Sequence, residues 1–213
     1  HGILRDFLDK RVKDGVIRRM LDKWLKAGVM ELGNINYPEH GTQQGSVISP
    51  LLSNIYLHYV RDEWFSEQIQ PMLKGKSFIV RWADDFVLGF EDKSEAERVM
   101  RVLPKRFAKY ELTLHPEKTR LIDLKSKRGG SGRSFEFLGF THYMGKSRKG
   151  HKVLKRKTSS KRLTRAIMNI SKFIKLNRHV KLRDLIAAIN IKLRGHYSYY
   201  GITFNFRGIN NFY

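Results

Sequence analysis

The chain has 213 residues, with 42 Lys+Arg against 20 Asp+Glu for a formal net charge of +22, 41% hydrophobic residues and no cysteine. That length supports one substantial core or two small ones, and the lack of cysteine excludes disulfides and thiolate zinc sites. No apolar run reaches the ~20 residues that a membrane-spanning helix requires, and no basic-then-apolar leader opens the chain, so a cytoplasmic or nucleoid-associated protein with no membrane partner is expected.

Ile3, Leu4, Phe7, Leu8 and Val12, then Val16, Ile17, Met20, Leu21, Trp24 and Leu25, recur at three- and four-residue steps. This spacing predicts two short helices, broken at Asp14-Gly15 and stopped at Gly28. Asp6, Asp9, Asp14 and Asp22 lie among lysines and arginines at helical spacing, as residues of a solvated face do. Gly33-Asn34 marks a turn. After a loop over 41–45, a helix is predicted over 50–68, burying Leu51, Ile55, Leu57 and Tyr59. Two runs of β-branched and aromatic residues within 78–90 predict a β-hairpin. Ser94 followed by Glu97 is a capping-box pattern opening a helix that ends near Tyr110. Short β segments are expected over 112–114 and 120–124, then a surface loop over 125–133 with no mononucleotide-binding motif. Residues 134–155 read as a hairpin turning near 145–150. Ser159 or Ser160 caps a helix to about Leu176, a second follows over 182–200, and 204–213 ends without a stop signal, as a cut helix would.

The charge is concentrated at one end. Residues 1–124 carry 20 basic and 18 acidic side chains, whereas 125–213 carry 22 basic side chains against Glu136 and Asp184 alone. Solvated surfaces mix both signs, so a stretch nearly devoid of acids implies a polyanionic partner. Tyr143, Tyr197, Tyr199, Tyr200 and Phe206 are interleaved with the basic residues, which suits phosphate contacts with occasional base or sugar stacking. The candidate contacts are Lys155, Arg156, Lys157, Lys161, Arg162, Arg165 and Arg194.

Asp84 and Asp85 stand at the tip of the predicted 78–90 hairpin. A turn lifts carboxylates out of a sheet while the flanking strands hold them rigidly, and Mg²⁺ prefers one or two such carboxylates with water and substrate phosphates completing its shell. Taken alone, Asp-Asp also starts ordinary turns, because a short acid bonds the backbone beyond it. The histidines are too scattered to suggest a metal cluster.

Four segments in order change the weight of that pair: GTQQGSVISPLLSNIYL from Gly41, FIVRWADDFVLGF from Phe78, LHPEKT from Leu114 and FEFLGF from Phe135. They resemble the palm motifs of reverse transcriptases, and their wording is most similar to the group II intron-encoded reverse transcriptase/maturase family. LRGHYSYYG from Leu193 resembles the maturase-specific segment of that family. The resemblance implies an RNA-directed DNA polymerase acting on an RNA template, a DNA primer and deoxynucleoside triphosphates, with a two-metal Mg²⁺ site. It also implies binding of intron RNA and assistance in splicing. Asp84 corresponds to the metal-binding aspartate of the paired motif and Asp85 to its supporting neighbour. Ala83 matches the small residue near the primer terminus, while Trp82 stands where tyrosine or phenylalanine is usual. Gln44 and Gly45 match the loop against the incoming nucleotide and template, in which Gln43 and Ser46 replace the usual proline and glycine. Lys118 matches a lysine facing the nucleotide phosphates, and Phe137, Leu138 and Gly139 match the primer grip.

The third metal-binding carboxylate of such a site belongs to an upstream motif, and His1-Gly2-Ile3-Leu4 resembles the segment just after it. The expectation is therefore an α/β (α+β) chain lacking fingers and one carboxylate, and inactive by itself. Its antiparallel palm sheet with packed helices and primer-grip hairpin would occupy 1–155, followed by a basic α-helical thumb and maturase segment over 156–213. A non-catalytic RNA-binding maturase module, and a retron or defence-type relative, are the alternatives.

Overall fold

The computed structural model describes residues 1–26, 29–31, 34–36, 47–124 and 134–212. The 41–45 loop with Gln44 and Gly45 and the 125–133 run lie outside the described residues. Helices make up 55% and strands 16% of the structure, a mixed α/β fold whose strand pairs are antiparallel. The chain forms two compact units, His1–Leu121 and Ile122–Tyr213.

The first unit begins with α1 (Gly2–Asp9) and α2 (Gly15–Lys26). Asp14 Oδ1 starts α2 by accepting from the backbone N–H groups of Val16 at 2.7 Å and Ile17 at 2.9 Å, which satisfies two otherwise orphaned donors. The short strands β1 (Val29–Glu31) and β2 (Asn34–Asn36) pair antiparallel, so Asn34, expected in a turn, is a strand residue opposite Glu31; Gly33 lies outside the described residues. Next comes α3 (Ser49–Leu57), with Pro50 in its first turn where the missing N–H is harmless. It continues into a wider π-type stretch, His58–Ile69, and a final 3₁₀ turn, Gln70–Met72. The long helix expected over 50–68 is thus present, but its ladder changes halfway. Arg106 supplies a physical reason: its Nε donates to the Val60 carbonyl at 2.9 Å and its Nη2 to that of Tyr59 at 3.2 Å, so a side chain competes for carbonyls of that helix.

This helix is the spine of the unit. Leu52 joins Leu4, Leu8, Leu21 and Leu25 in one buried cluster, so α1 and α2 pack on its first half. Tyr59 and Val60 bury Phe7, and Trp64 and Phe65 bury Leu103 and Phe107 of α4 (Lys93–Ala108). Ile79, Phe86, Leu88 and Phe90, from β3 (Ser77–Trp82) and β4 (Asp85–Phe90), pack against that last cluster. Leu51, expected to be buried, is instead exposed, because the helix turns Leu52 toward α1 and α2.

Two further expectations are corrected. The cap of α4 is Asp92, whose Oδ1 accepts from the backbone N–H groups of Ser94 at 2.7 Å and Glu95 at 3.1 Å. Ser94 is a donor to that cap, through Oγ at 2.6 Å, and not the cap itself. The carboxylate three residues on, Glu95, closes a neighbouring loop by accepting from Lys74 N–H at 2.7 Å and Gly75 N–H at 3.3 Å. The segments 112–114 and 120–124 are not strands. Leu112 and Leu114 satisfy their apolar alternation by docking on the Trp64–Phe107 cluster, after the chain reverses at Glu111 with φ 56°.

In the second unit the expected 134–155 hairpin is a three-stranded antiparallel meander: β5 (Ser134–Phe137), β6 (Phe140–Lys146) and β7 (Lys152–Thr158). The extra reversal is a two-residue turn at Leu138-Gly139, with φ 51° and 78°, the geometry of a tight hairpin whose twist matches its strands. Helices α5 (Ser160–Leu176), α6 (Leu182–Tyr200) and α7 (Phe206–Asn210) follow. Asn205 is fully buried and ties three elements together. Its Oδ1 accepts from Thr158 N–H at 2.7 Å, while Nδ2 donates to Thr158 Oγ1 at 2.8 Å and to the Tyr200 carbonyl at 2.7 Å. Asn205→Ala strands those buried groups and is expected to destabilise the second unit by roughly 2–4 kcal/mol, measured by urea unfolding.

Candidate nucleotidyl-transfer site

Strands β3 and β4 pair from Ser77↔Phe90 to Trp82↔Asp85, which leaves Ala83 and Asp84 as a two-residue turn. Ile79 and Arg81 point inward with Phe86 and Leu88, whereas Phe78, Val80 and Trp82 form an exposed apolar face, Trp82 at 67% exposure. Asp85 shares that outer face as the cross-strand partner of Trp82, and Asp84 stands at the tip; both are exposed. Ala83 has φ 52°, a conformation that favours glycine and strains other residues by about 1–2 kcal/mol.

Beneath the turn lies an ion-pair network that sequence reasoning missed. Arg61 is 1% exposed, and its Nε donates to Asp62 Oδ1 at 3.0 Å. Arg81 Nε meets the other oxygen of the same carboxylate at 2.8 Å, and its Nη1 donates to Asn54 Oδ1 at 2.6 Å. The Arg61 guanidinium lies 4.4 Å from the centre of the Phe86 ring. Burial lowers its pKa, opposed by its hydrogen bond to Asp62. The signal was present in the sequence: Arg61 shares a four-residue step with Leu57 and Phe65 on a helical stripe that is otherwise apolar, and Arg81 shares the inward parity of Ile79.

Lys118 is exposed in a turn closed by Thr119 N–H to the His115 carbonyl at 2.9 Å. Among the described residues no group of three or more His, Asp or Glu side chains is arranged to hold a metal. Asp84 and Asp85 suit a hard divalent cation in donor type, since two adjacent carboxylates leave the rest of its shell to water and phosphate.

In the second unit Phe137, Leu138 and Gly139 lie at the β5–β6 turn, which α6 braces. Tyr199 Oη donates to the Leu138 carbonyl at 2.9 Å, and Phe140 packs on the rings of Tyr199 and Tyr200 at 5.6 and 5.2 Å. A Cβ on Gly139 would lie 3.0 Å from Tyr200 Oη, so that position needs glycine for its approach as well as for its φ. The basic triplet divides by strand alternation. Lys155 and Lys157 share one face with Tyr143 and Thr141, and Arg156 shares the other with His142. Lys157 Nζ is 5.7 Å from the Tyr143 ring and Lys155 Nζ 5.3 Å from that of Phe204. Lys161, Arg162, Arg165 and Arg194 are exposed on α5 and α6.

The family model for reverse transcriptases (RNA-dependent DNA polymerases) matches residues 2–142, more than half of the chain and including both aspartates of the turn. The chain belongs to that family. Its members carry out RNA-directed DNA synthesis and use divalent metal ions. No curated protein matches the chain.

Burial disfavours the charged form of two histidines of the second unit. Burial lowers the pKa of His142, with Arg156 adding to the effect against a backbone hydrogen bond, and burial lowers that of His196. Because each folded-state value lies below the ordinary one, the stability associated with the neutral ring is full above the ordinary value and is lost as pH falls through the depressed one. Thermal unfolding should therefore shift to lower temperature between about pH 7 and pH 5. Replacing both rings, by His142→Gln and His196→Phe, should flatten that dependence in calorimetric scans.

Proposed function

We propose that this chain provides the palm and thumb of a group II intron-type reverse transcriptase that also binds intron RNA and assists splicing. The observation that carries the reading is the Asp84-Asp85 pair, exposed at the tip and the first strand residue of a hairpin whose strands are buried on one side only. The five ordered motifs and the net charge of +20 over 125–213 support it, since a basic, aromatic-bearing segment in the same chain as a polymerase palm suits structured RNA. Residues 1–155 act as palm and primer-grip hairpin, and 156–213 as thumb and maturase segment.

In this reading Asp84 and Asp85 hold Mg²⁺. The bound metal supplies charge neutralisation on the nucleotide phosphates and activation of the primer 3′ hydroxyl. Asp84, at the tip, faces the phosphates, while Asp85 adds its charge from the outer face. Gln44 and Gly45 contact the incoming nucleotide and template, the glycine by close backbone approach. Ala83 leaves room beside the primer end, against which the exposed Trp82 indole packs. Lys118 contributes a mobile ammonium to the phosphates. The Phe137–Gly139 turn holds the primer strand, and Lys155, Arg156, Lys157, Lys161, Arg162, Arg165 and Arg194 bind RNA phosphates.

In an active polymerase containing this chain, Asp84→Asn keeps side-chain size but removes metal-holding charge. Synthesis should fall about 10³-fold or more with unchanged thermal unfolding, as read by primer extension. Near-parental extension would instead favour the non-catalytic RNA-binding reading.

RNA binding is tested separately by anisotropy titration at several salt concentrations. About 6–10 phosphate contacts give a loss of roughly 10³–10⁵ in affinity between 50 and 200 mM salt for duplex-like sites. Lys155→Gln with Lys157→Gln should reduce the slope by about 2, and Asp84→Asn should leave it unchanged. A shallow slope indifferent to the lysines identifies ordinary solvated surface.

A further inference from the structure

We propose that Arg61, Asp62 and Arg81 are positioning residues that fix the backbone of the Ala83-Asp84 turn while leaving the Asp84 and Asp85 carboxylates exposed. The inference rests on the reading of Asp84 as a metal-holding residue.

Three observations carry it. The first is the bonding pattern. Asp62 divides its two oxygens between Arg61 Nε and Arg81 Nε, at 3.0 and 2.8 Å, and so fixes the plane of each guanidinium. From those planes Arg81 Nη1 donates to the Ala83 carbonyl and Arg61 Nη1 to the Asp84 carbonyl, both at 3.4 Å. Two consecutive carbonyls of the turn are thus held from below by two arginines that share one carboxylate.

The second is the cost of the arrangement. A guanidinium at 1% exposure is strongly desolvated, and Arg61 Nη2 is buried with no hydrogen-bond partner in the structure. Burying such a group is unfavourable unless it is fully paired, and an apolar side chain of similar volume over Phe86 would serve stability as well or better. A stabilising role therefore does not account for the network.

The third is the strain above it. Ala83 at φ 52° sits in a sparsely populated conformation, which persists where the surroundings over-determine it. The arginines contact carbonyl oxygens of the turn, and the carboxylates of Asp84 and Asp85 remain exposed. An arginine hydrogen-bonded to those carboxylates would compete with a metal for their oxygens; Arg61 attracts Asp84 through space, but its hydrogen bond to the turn goes to the backbone, so the carboxylate oxygens stay available.

The test compares Asp62→Asn, Arg81→Lys and Asp84→Asn in an active polymerase containing this chain. Asp62→Asn removes the charge that orients both arginines. Arg81→Lys keeps a charge at a partly exposed position but loses the planar fork, and it remains informative if Asp62→Asn fails to fold. Folded Asp62→Asn and Arg81→Lys are each expected to lower kcat by about 10- to 100-fold with little change in the nucleotide KM. Each should also raise several-fold the Mg²⁺ concentration that gives half-maximal rate, a shift that a merely structural role would not produce. Parental kcat and Mg²⁺ dependence in folded Arg81→Lys, while Asp84→Asn abolishes synthesis, would overturn the positioning role and leave the functional reading intact. Undiminished synthesis in Asp84→Asn would overturn both.

Discussion

A guanidinium placed under a β-turn is the constraint around which the first unit is organised. Arg61 cannot be solvated where it stands, so it must be packed on Phe86 and bonded to Asp62. Those contacts require the helix that carries it to lie directly beneath the hairpin. That helix in turn reaches the hairpin through Trp64 and Phe65, and α1 and α2 through Leu52 and Tyr59. The apolar clusters provide the stability, and the buried charge specifies one register of helix against turn.

The second unit reaches a similar end with neutral groups. Leu138, like Ala83, adopts a positive φ in a two-residue turn, and its carbonyl also accepts from a side chain of a packed helix, here the Tyr199 hydroxyl. Asn205 then fixes the end of α6 to the last residue of the meander. In both units the turns that carry the proposed chemistry have a positive φ, are short and accept a hydrogen bond from a side chain distant in sequence, Arg61 in one and Tyr199 in the other. Loops free to sample other conformations would not keep reacting groups in place.

This arrangement revises what the aromatic residues of 193–201 do. Tyr199 and Tyr200 pack on Phe140, and His196 stacks on Phe212 at 3.7 Å, so these rings make contacts within their own unit, while Tyr199 stays 52% exposed. Tyr143 and Phe204 each lie beside a lysine, and Phe206 is 77% exposed.

The sequence by itself determined the paired aspartates on a hairpin, the helices and most of their limits and the charge asymmetry, because periodicity, turn chemistry and composition are local; the polymerase family was legible separately, through its ordered motifs. It misread what depends on competition between local signals. Asp92 and Ser94 both fit a cap, and only the folded chain chose Asp92, with Glu95 drawn to Lys74 and Gly75. Leu112 and Leu114 alternate like a strand, yet an apolar cluster satisfies them. The turn at Leu138-Gly139 lacks the usual asparagine signal, so the third strand stayed hidden. Tertiary structure alone decided that Arg61, Asp62 and Arg81 meet under Asp84, because a shared carboxylate between residues twenty apart exists only when helix and hairpin pack.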